Sequence, residues 1–339
     1  MNRSDRIQKA IRALKGSMEK CDICPRRCGA NRAAGGLGYC RAPAKAVVYS
    51  YLSHHGEEPA LSGPPCLSAR PPDLRSNRIG DRAGGRKGSG TIFFTHCNMK
   101  CVYCQNYTFS QMDKGEAIPD DRLASIMLHL QDAGCHNINL VSPTHFVPQM
   151  LGGLDIAVKK GLNIPIVYNT GGYDSVQTLE LLDGIVDIYL PDMRYSSAEK
   201  AKAYSDAADY VKFNRAAIKE MHRQVGDLAI DSKGVAGRGL IIRLLVLPND
   251  ISGTAGSLKF IKDSISEKTY LSIMSQYYPT FKASAFSELS RPTNEAEYKN
   301  IVDEARRLGL NNGWVQEMPE DSDRRFLGTT IKPETRRKD

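Results

Sequence analysis

Six short runs at 91–95, 137–141, 164–168, 186–190, 240–247 and 270–274 are apolar almost throughout, and each is followed by a segment with helical spacing. A strand that faced water on one side would alternate apolar with polar residues. Near-continuous apolar runs instead mark strands covered on both faces, as in a parallel sheet with helices packed outside it. Repetition of this βα unit six times predicts an α/β fold, specifically a partial (β/α)6 barrel. The 339 residues correspond to about two average domains, so one large domain with a smaller attachment is expected.

The flanks supply the attachment. Ile7, Ile11, Leu14 and Met18 recur at helical spacing over 5–18, and a cysteine-rich segment follows directly. Residues 61–90 combine repeated Pro and Gly with few large apolar side chains, the composition of a loop without its own core. Near the other end Asn294 is placed to cap a helix and Glu297 to reach back to it. Tyr298, Ile301, Val302, Ala305 and Leu308 form that helix's apolar face, and Gly309 ends it. The expected organisation is therefore an N-terminal helix and four-cysteine metal-binding segment (1–60), a basic Pro/Gly-rich loop (61–90), the barrel (91–318) and a charged tail (319–339).

No apolar stretch is long enough to span a bilayer, since the best, 240–247, is short and contains Arg243. The first twenty residues are charged throughout and lack a secretory signal's apolar centre. A cytoplasmic location without membrane contact is expected, and in that reducing compartment nine cysteines point to metal or redox chemistry rather than disulfides. The net charge of +8 permits an acidic partner without requiring one. Part of it is local, in Arg70, Arg75, Arg78, Arg82, Arg86 and Lys87 and in Arg336, Arg337 and Lys338, and reads first as solvated loop and tail charge.

Two cysteine sets carry the chemistry. Cys97, Cys101 and Cys104 follow the first barrel strand and are separated by three and then two residues. Three thiolates are one short of closing a cubane, so a [4Fe-4S] cluster held by them would keep one iron open to a small chelating molecule. Zinc would need a fourth ligand, for which His96 is adjacent. Cys21, Cys24, Cys28 and Cys40 form a complete four-thiol set suited to a second [4Fe-4S] cluster or to structural zinc, and Cys-x-x-Cys-Pro tilts the choice toward iron–sulfur. Cys66 and Cys135 stand alone and read as buried structural thiols.

The three-cysteine spacing, with the aromatic Tyr103 before the last thiol, resembles the signature of the radical S-adenosylmethionine (SAM) superfamily. Gly88-Ser-Gly-Thr-Ile-Phe-Phe94, Cys104-Gln-Asn-Tyr107, Asn137-Ile-Asn-Leu-Val-Ser-Pro-Thr-His-Phe146, Asp187-Ile-Tyr-Leu-Pro-Asp192 and Gly239-Leu-Ile-Ile-Arg243 extend the resemblance to the PflX-like group of pyruvate formate-lyase activating-enzyme-like proteins. The resemblance implies that Cys97, Cys101 and Cys104 bind a [4Fe-4S] cluster whose open iron is chelated by the amine and carboxylate of SAM. It also implies reductive cleavage of SAM to a 5′-deoxyadenosyl radical that abstracts hydrogen from a substrate.

Carried over by position, the SAM contacts are Tyr103, Gln105 and Asn106 in the cysteine loop and Ser142 and Thr144 after the second strand. Ser142-Pro143-Thr144 replaces the Gly-Gly-Glu of activating enzymes. Arg194 and Arg243 would take the SAM carboxylate. Asn169, Thr170 and Asp192 align with residues that hold a monovalent cation beside SAM in some activating enzymes, the first of them usually Asp. Gln276 and Tyr277, after the sixth strand, are further candidates for the cavity.

Two departures from the family pattern stand out, an insertion at 64–87 and His96 where relatives tend to carry Gly. His96 is expected to face solvent. The implied partners are SAM, a low-potential electron donor such as flavodoxin or ferredoxin, and a protein, peptide or RNA substrate. Glycyl-radical activation of a partner enzyme is the narrowest form of this reading. The alternative from another class is a zinc-stabilised nucleic-acid-binding module.

Overall fold

A computed structural model of the chain describes residues 1–63 and 87–318. The strands are β1 (Ala46–His54), β2 (Ser89–Phe94), β3 (Glu116–Ile118), β4 (Ile138–Val141), β5 (Ile166–Thr170), β6 (Ile188–Pro191), β7 (Ala229–Ile230), β8 (Ala236–Leu245), β9 (Tyr270–Met274) and β10 (Gly313–Val315). The α-helices are α1 (Arg3–Ala13), α2 (Pro59–Ser62), α3 (Tyr107–Ser110), α4 (Asp120–Asp132), α5 (Val147–Lys159), α6 (Val176–Glu180), α7 (Ala198–Ser205), α8 (Tyr210–Val225), α9 (Thr254–Ser264) and α10 (Glu295–Arg307).

All six expected strands form, as β2, β4, β5, β6, β8 and β9, and they pair in that order, parallel throughout. The series stays open, extended by parallel β10 at one edge and by antiparallel β1 and β3 at the other. This is the mostly parallel sheet of a partial (β/α)6 barrel. Alternation along each strand divides its side chains between two compartments. Ile138, Leu140, Ile166, Tyr168, Tyr189, Leu240, Ile242, Leu271 and Ile273 face outward into the main core with α4, α5 and α8. Val167, Ile188, Leu190, Ile241 and Tyr270 turn inward, where Ala60 and Leu61 of α2 pack against them. Both faces are thereby buried, although Thr91, Asn139 and Ser272 between the outward-facing positions are polar.

Four strands have no counterpart in the sequence reading. β1 lies within 1–60 yet belongs to the main sheet, and β3, β7 and β10 are three residues or fewer. The expected N-terminal helix stops at Ala13 and continues as a 3₁₀ turn, Lys15–Met18. The C-terminal helix has the expected capping box between Asn294 and Glu297, and Gly309 follows it with a φ of 81°. The insertion at 64–87 apart from Lys87, with its five arginines and Cys66, lies outside the described residues, as does the tail from 319. Among the described residues no helix is long and apolar enough to cross a membrane.

Candidate functional site

The carboxyl ends of the parallel strands converge on one mouth, where barrel folds gather their functional groups. β2 ends at Phe94 and runs into the loop that carries Cys97, Cys101 and Cys104. His96 adopts a φ of 64°, its N–H held by the Phe109 carbonyl at 3.0 Å. Contrary to expectation, His96 is buried, only 6% exposed. Its ring lies edge-on to His145 and near Phe146, with Nδ1 3.1 Å from Asp113. Aromatic neighbours in the β2–β4 cleft exclude the water that the sequence reading placed around it. Burial likewise keeps His145 neutral, its pKa pushed down to about 3, with Nε2 2.7 Å from the Thr95 carbonyl.

The three thiols face one another closely enough that ionising one opposes ionising the next. Burial, and after it the charge of Cys101, push Cys97 up to about 12 and Cys104 up to about 11. Each thiol also has a neighbouring polar group. Met99 N–H donates to Cys97 Sγ at 3.4 Å, Ser110 Oγ lies 3.2 Å from Cys104 Sγ, and Ser205 Oγ donates to Cys101 Sγ at 3.0 Å. Closely grouped thiols shielded from water are costly to ionise alone, whereas a metal supplies the positive charge that makes thiolates the stable form.

Among the described residues no three His, Cys, Asp or Glu side chains are grouped tightly enough for a single metal ion. Cys97, Cys101 and Cys104 bring three thiols together on one loop, a donor set whose chemistry fits an iron–sulfur cluster. The absence of a tight group holds also for Cys21, Cys24, Cys28 and Cys40, of which all but Cys28 are buried. Burial pushes Cys24 up to about 12 and raises Cys21 and Cys40. This segment docks on the Cys97 loop, since Arg26 Nε donates to the Asn98 carbonyl at 2.9 Å. All eight described cysteines are free thiols.

Opposite the thiols, Asp192 follows β6 and bridges two arginines. Its Oδ2 accepts from Arg194 Nη2 at 2.5 Å and its Oδ1 from Arg243 Nε at 2.8 Å. Arg243 Nη2 also donates to Asn169 Oδ1 at 2.7 Å. Asn169, Asp192, Arg194 and Arg243, selected separately from the sequence, are thus brought together by three strand ends. Asn169 Oδ1 and both Asp192 oxygens are engaged by guanidinium groups. Arg194 Nε is buried without a hydrogen-bond partner, an unspent donor beside the thiols.

Thr144 and Thr170 meet at 3.0 Å, but their shared partner is Asp174, which the sequence reading missed. Asp174 accepts from Thr144 and Thr170 at 2.7 Å and from Tyr168 at 3.0 Å. Burial raises its pKa, and the three hydroxyl donors offset part of that rise. A carboxylate four residues past a strand-end threonine was the available signal. Ser142 holds a left-handed φ of 58° at the end of β4, where its N–H donates to the Asn169 carbonyl at 2.8 Å. Gly172 also needs its positive φ of 76°, because a Cβ there would lie 2.2 Å from the Asp192 carbonyl oxygen.

The remaining candidates scatter. Gln105 Nε2 donates to the Gln276 carbonyl at 2.9 Å, joining the two loops, while Asn106 is exposed at the start of α3. Tyr103 is only 2% exposed and turns into the core, donating to Tyr195 at 2.7 Å. Tyr277 packs edge-on against it, its hydroxyl on the Leu289 carbonyl. Glu58, unforeseen, sits 3% exposed at the start of α2. Its pKa is raised by burial against the opposing charge of Arg243.

Three thiols on the loop after the first parallel strand thus share the mouth of the sheet with arginines from other strand ends. The family model described as Radical SAM superfamily matches residues 91–208, so the chain carries a radical SAM superfamily domain. That superfamily binds SAM and a [4Fe-4S] cluster. The chain is similar to the uncharacterized protein MJ0674 of Methanocaldococcus jannaschii, 28% identical over 311 residues that cover 89% of this chain and 78% of the relative. Similar solved structures include SuiB of Streptococcus suis bound to the precursor peptide SuiA, at 12% identity and TM-score 0.46, covering 65% of this chain and 46% of that one. A radical SAM methyltransferase of Sphaerobacter thermophilus, at 12% identity and TM-score 0.47, covers 67% of this chain and 65% of its own. The chain therefore spans less than two thirds of either solved protein.

Proposed function

We propose that this protein is a radical SAM enzyme in which Cys97, Cys101 and Cys104 hold a [4Fe-4S] cluster at the mouth of the barrel. Reductive cleavage of SAM to methionine and a 5′-deoxyadenosyl radical, followed by hydrogen abstraction, is the chemistry such a cluster supplies when bound. The supporting observation is the convergence of three thiols, Cys101 buried and Cys97 and Cys104 half-buried, with Arg194, whose Nε has no partner, and with the Asp192–Arg243–Asn169 network. Arg194 and Arg243 would orient the SAM carboxylate, and the Thr144–Thr170–Asp174 set would present hydroxyl oxygens to its amine. Gln105 and Asn106 would line the same side, and Ser142 would keep the β4 end open. The apolar packing of α2 below would exclude water from the radical.

The reading extends to a cytoplasmic enzyme fed by a low-potential donor such as flavodoxin or ferredoxin, with a protein, peptide or RNA substrate. Glycyl-radical activation of a partner enzyme is its narrowest form. Cys21, Cys24, Cys28 and Cys40 would hold a second [4Fe-4S] cluster or zinc beside the first.

Anaerobic reconstitution with iron and sulfide tests the reading. Brown protein that releases deoxyadenosine from SAM under strong reductant is expected, with Cys101→Ala losing cleavage at least about 1,000-fold. Undiminished cleavage in that variant would refute it. Counting iron and zinc in Cys24→Ala identifies the N-terminal metal, and a glycyl-radical doublet in electron spin resonance with a candidate partner tests the narrow form.

A further inference from the structure

A line of buried hydroxyls leads from Tyr103 to Cys101. Tyr103 O–H donates to Tyr195 at 2.7 Å, Tyr195 and Ser205 hydroxyls lie 2.6 Å apart, and Ser205 O–H donates to Cys101 Sγ at 3.0 Å. Each hydroxyl has one proton, so the two outer bonds fix the middle one, and Tyr195 must donate to Ser205. The chain therefore runs in one direction and ends on the sulfur. Tyr103 and Cys101 are 2% and 5% exposed, and Tyr195 and Ser205 are fully buried, so water cannot replace any member. Burial raises the Tyr103 pKa and the nearby Arg194 charge offsets only part of that rise, so the phenol keeps the proton it donates.

Ser205 ends α7, far in sequence from the cysteine loop, and the same helix end clamps that loop. Lys100 N–H donates to the Ser205 carbonyl at 3.1 Å and Val102 N–H to that of Tyr204 at 2.9 Å. The hydroxyl is thus held at a fixed distance from Cys101. In dry surroundings, successive donation strengthens each bond along such a line.

We infer that Ser205 is a positioning residue for the cluster's electron chemistry, and that its hydrogen bond to Cys101, oriented by Tyr195 and Tyr103, raises the reduction potential of the cluster. Donation to a ligand sulfur stabilises the reduced state, which carries the greater negative charge. This rests on the proposed assignment of Cys101 as a cluster ligand. Tyr195 and Tyr103 matter because they leave the Ser205 proton no acceptor but the sulfur.

The test is a redox titration of the reconstituted full chain without SAM, following the reduced cluster's electron spin resonance signal. Ser205→Ala and Tyr195→Phe should both bind wild-type amounts of iron and sulfide yet shift to more negative potential. Ser205→Thr, which keeps the hydroxyl, should return toward wild type. Potentials unchanged in both hydroxyl-deleting variants would overturn the inference. A shift in Ser205→Ala with none in Tyr195→Phe would overturn the line as a unit. If wild-type protein assembled no [4Fe-4S] cluster, the cluster assignment itself would fail, an outcome distinct from unchanged potentials in a cluster-bearing protein.

Discussion

Asp174 shows how a single buried residue organises the mouth of the barrel. It satisfies three hydroxyls at once, so Asp174→Asn leaves one oxygen to do the work of two and costs about 1–3 kcal/mol in unmade bonds. The pH dependence has a defined sign. Burial raises the folded-state pKa above its ordinary value near 3.8, so the native state keeps a proton that the unfolded chain has released. The associated stability is fully present below that ordinary value and is lost as pH rises through the folded one. Urea unfolding from pH 3 upward should therefore show wild type losing its advantage over Asp174→Asn as pH increases. An advantage that grew with pH would contradict the assignment. None of this was apparent from Thr144 and Thr170 alone, because the Gly171-Gly172-Tyr173 turn that brings Asp174 back over them is a matter of backbone path.

Among the elements, α10 was readable in advance because its determinants are local. Asn294 accepts from Glu297 N–H at 2.8 Å and Glu297 from Asn294 N–H at 3.0 Å. The addition from the tertiary structure is Arg291, which binds both Glu297 oxygens, at 2.7 and 2.8 Å. That contact leads the groups drawing the Glu297 pKa down to about 2. Its contribution to stability is present above the ordinary value near 4.5 and is lost as pH falls from there through about 2. Acid denaturation should show this loss in wild type and not in Glu297→Gln. Asn294→Ala should cost about 1 kcal/mol at neutral pH, measured by urea unfolding. The barrel strands were equally legible from their mostly apolar runs. β3, β7 and β10 were not, because two or three residues carry no periodicity and pair only where a neighbouring edge is available.

At the scale of the whole molecule, the N-terminal cysteine segment is fastened to the barrel by buried polar contacts. Arg32, 1% exposed, donates from Nη1 to the His145 carbonyl and from Nη2 to that of Pro43, both at 2.7 Å. Thr178 Oγ1 donates to the Ile23 carbonyl at 2.6 Å, and Arg3 pairs with Asp187. Arg32→Ala would strip the buried His145 carbonyl and the half-buried Pro43 carbonyl of their donor, a loss of about 2–3 kcal/mol. Its effect should appear as faster limited proteolysis within residues 20–45, with the barrel remaining resistant. Equal protection in both proteins would show that the cation does not hold the segment in place.

The sequence by itself determined the six-unit parallel core, the capped C-terminal helix and the three-thiol loop after the first barrel strand. Each follows from neighbours along the chain, through apolar runs, caps and cysteine spacing. Only the tertiary structure decided the rest. Strand ends separated by 51 residues, as Asp192 and Arg243 are, become one ion-paired network because a parallel sheet aligns its carboxyl ends at a common mouth. His96 lost its expected solvent and Asp174 gained its hydroxyls for the same reason. Burial and hydrogen-bond partners are properties of the assembled interior, set by which side chains the packing brings within reach.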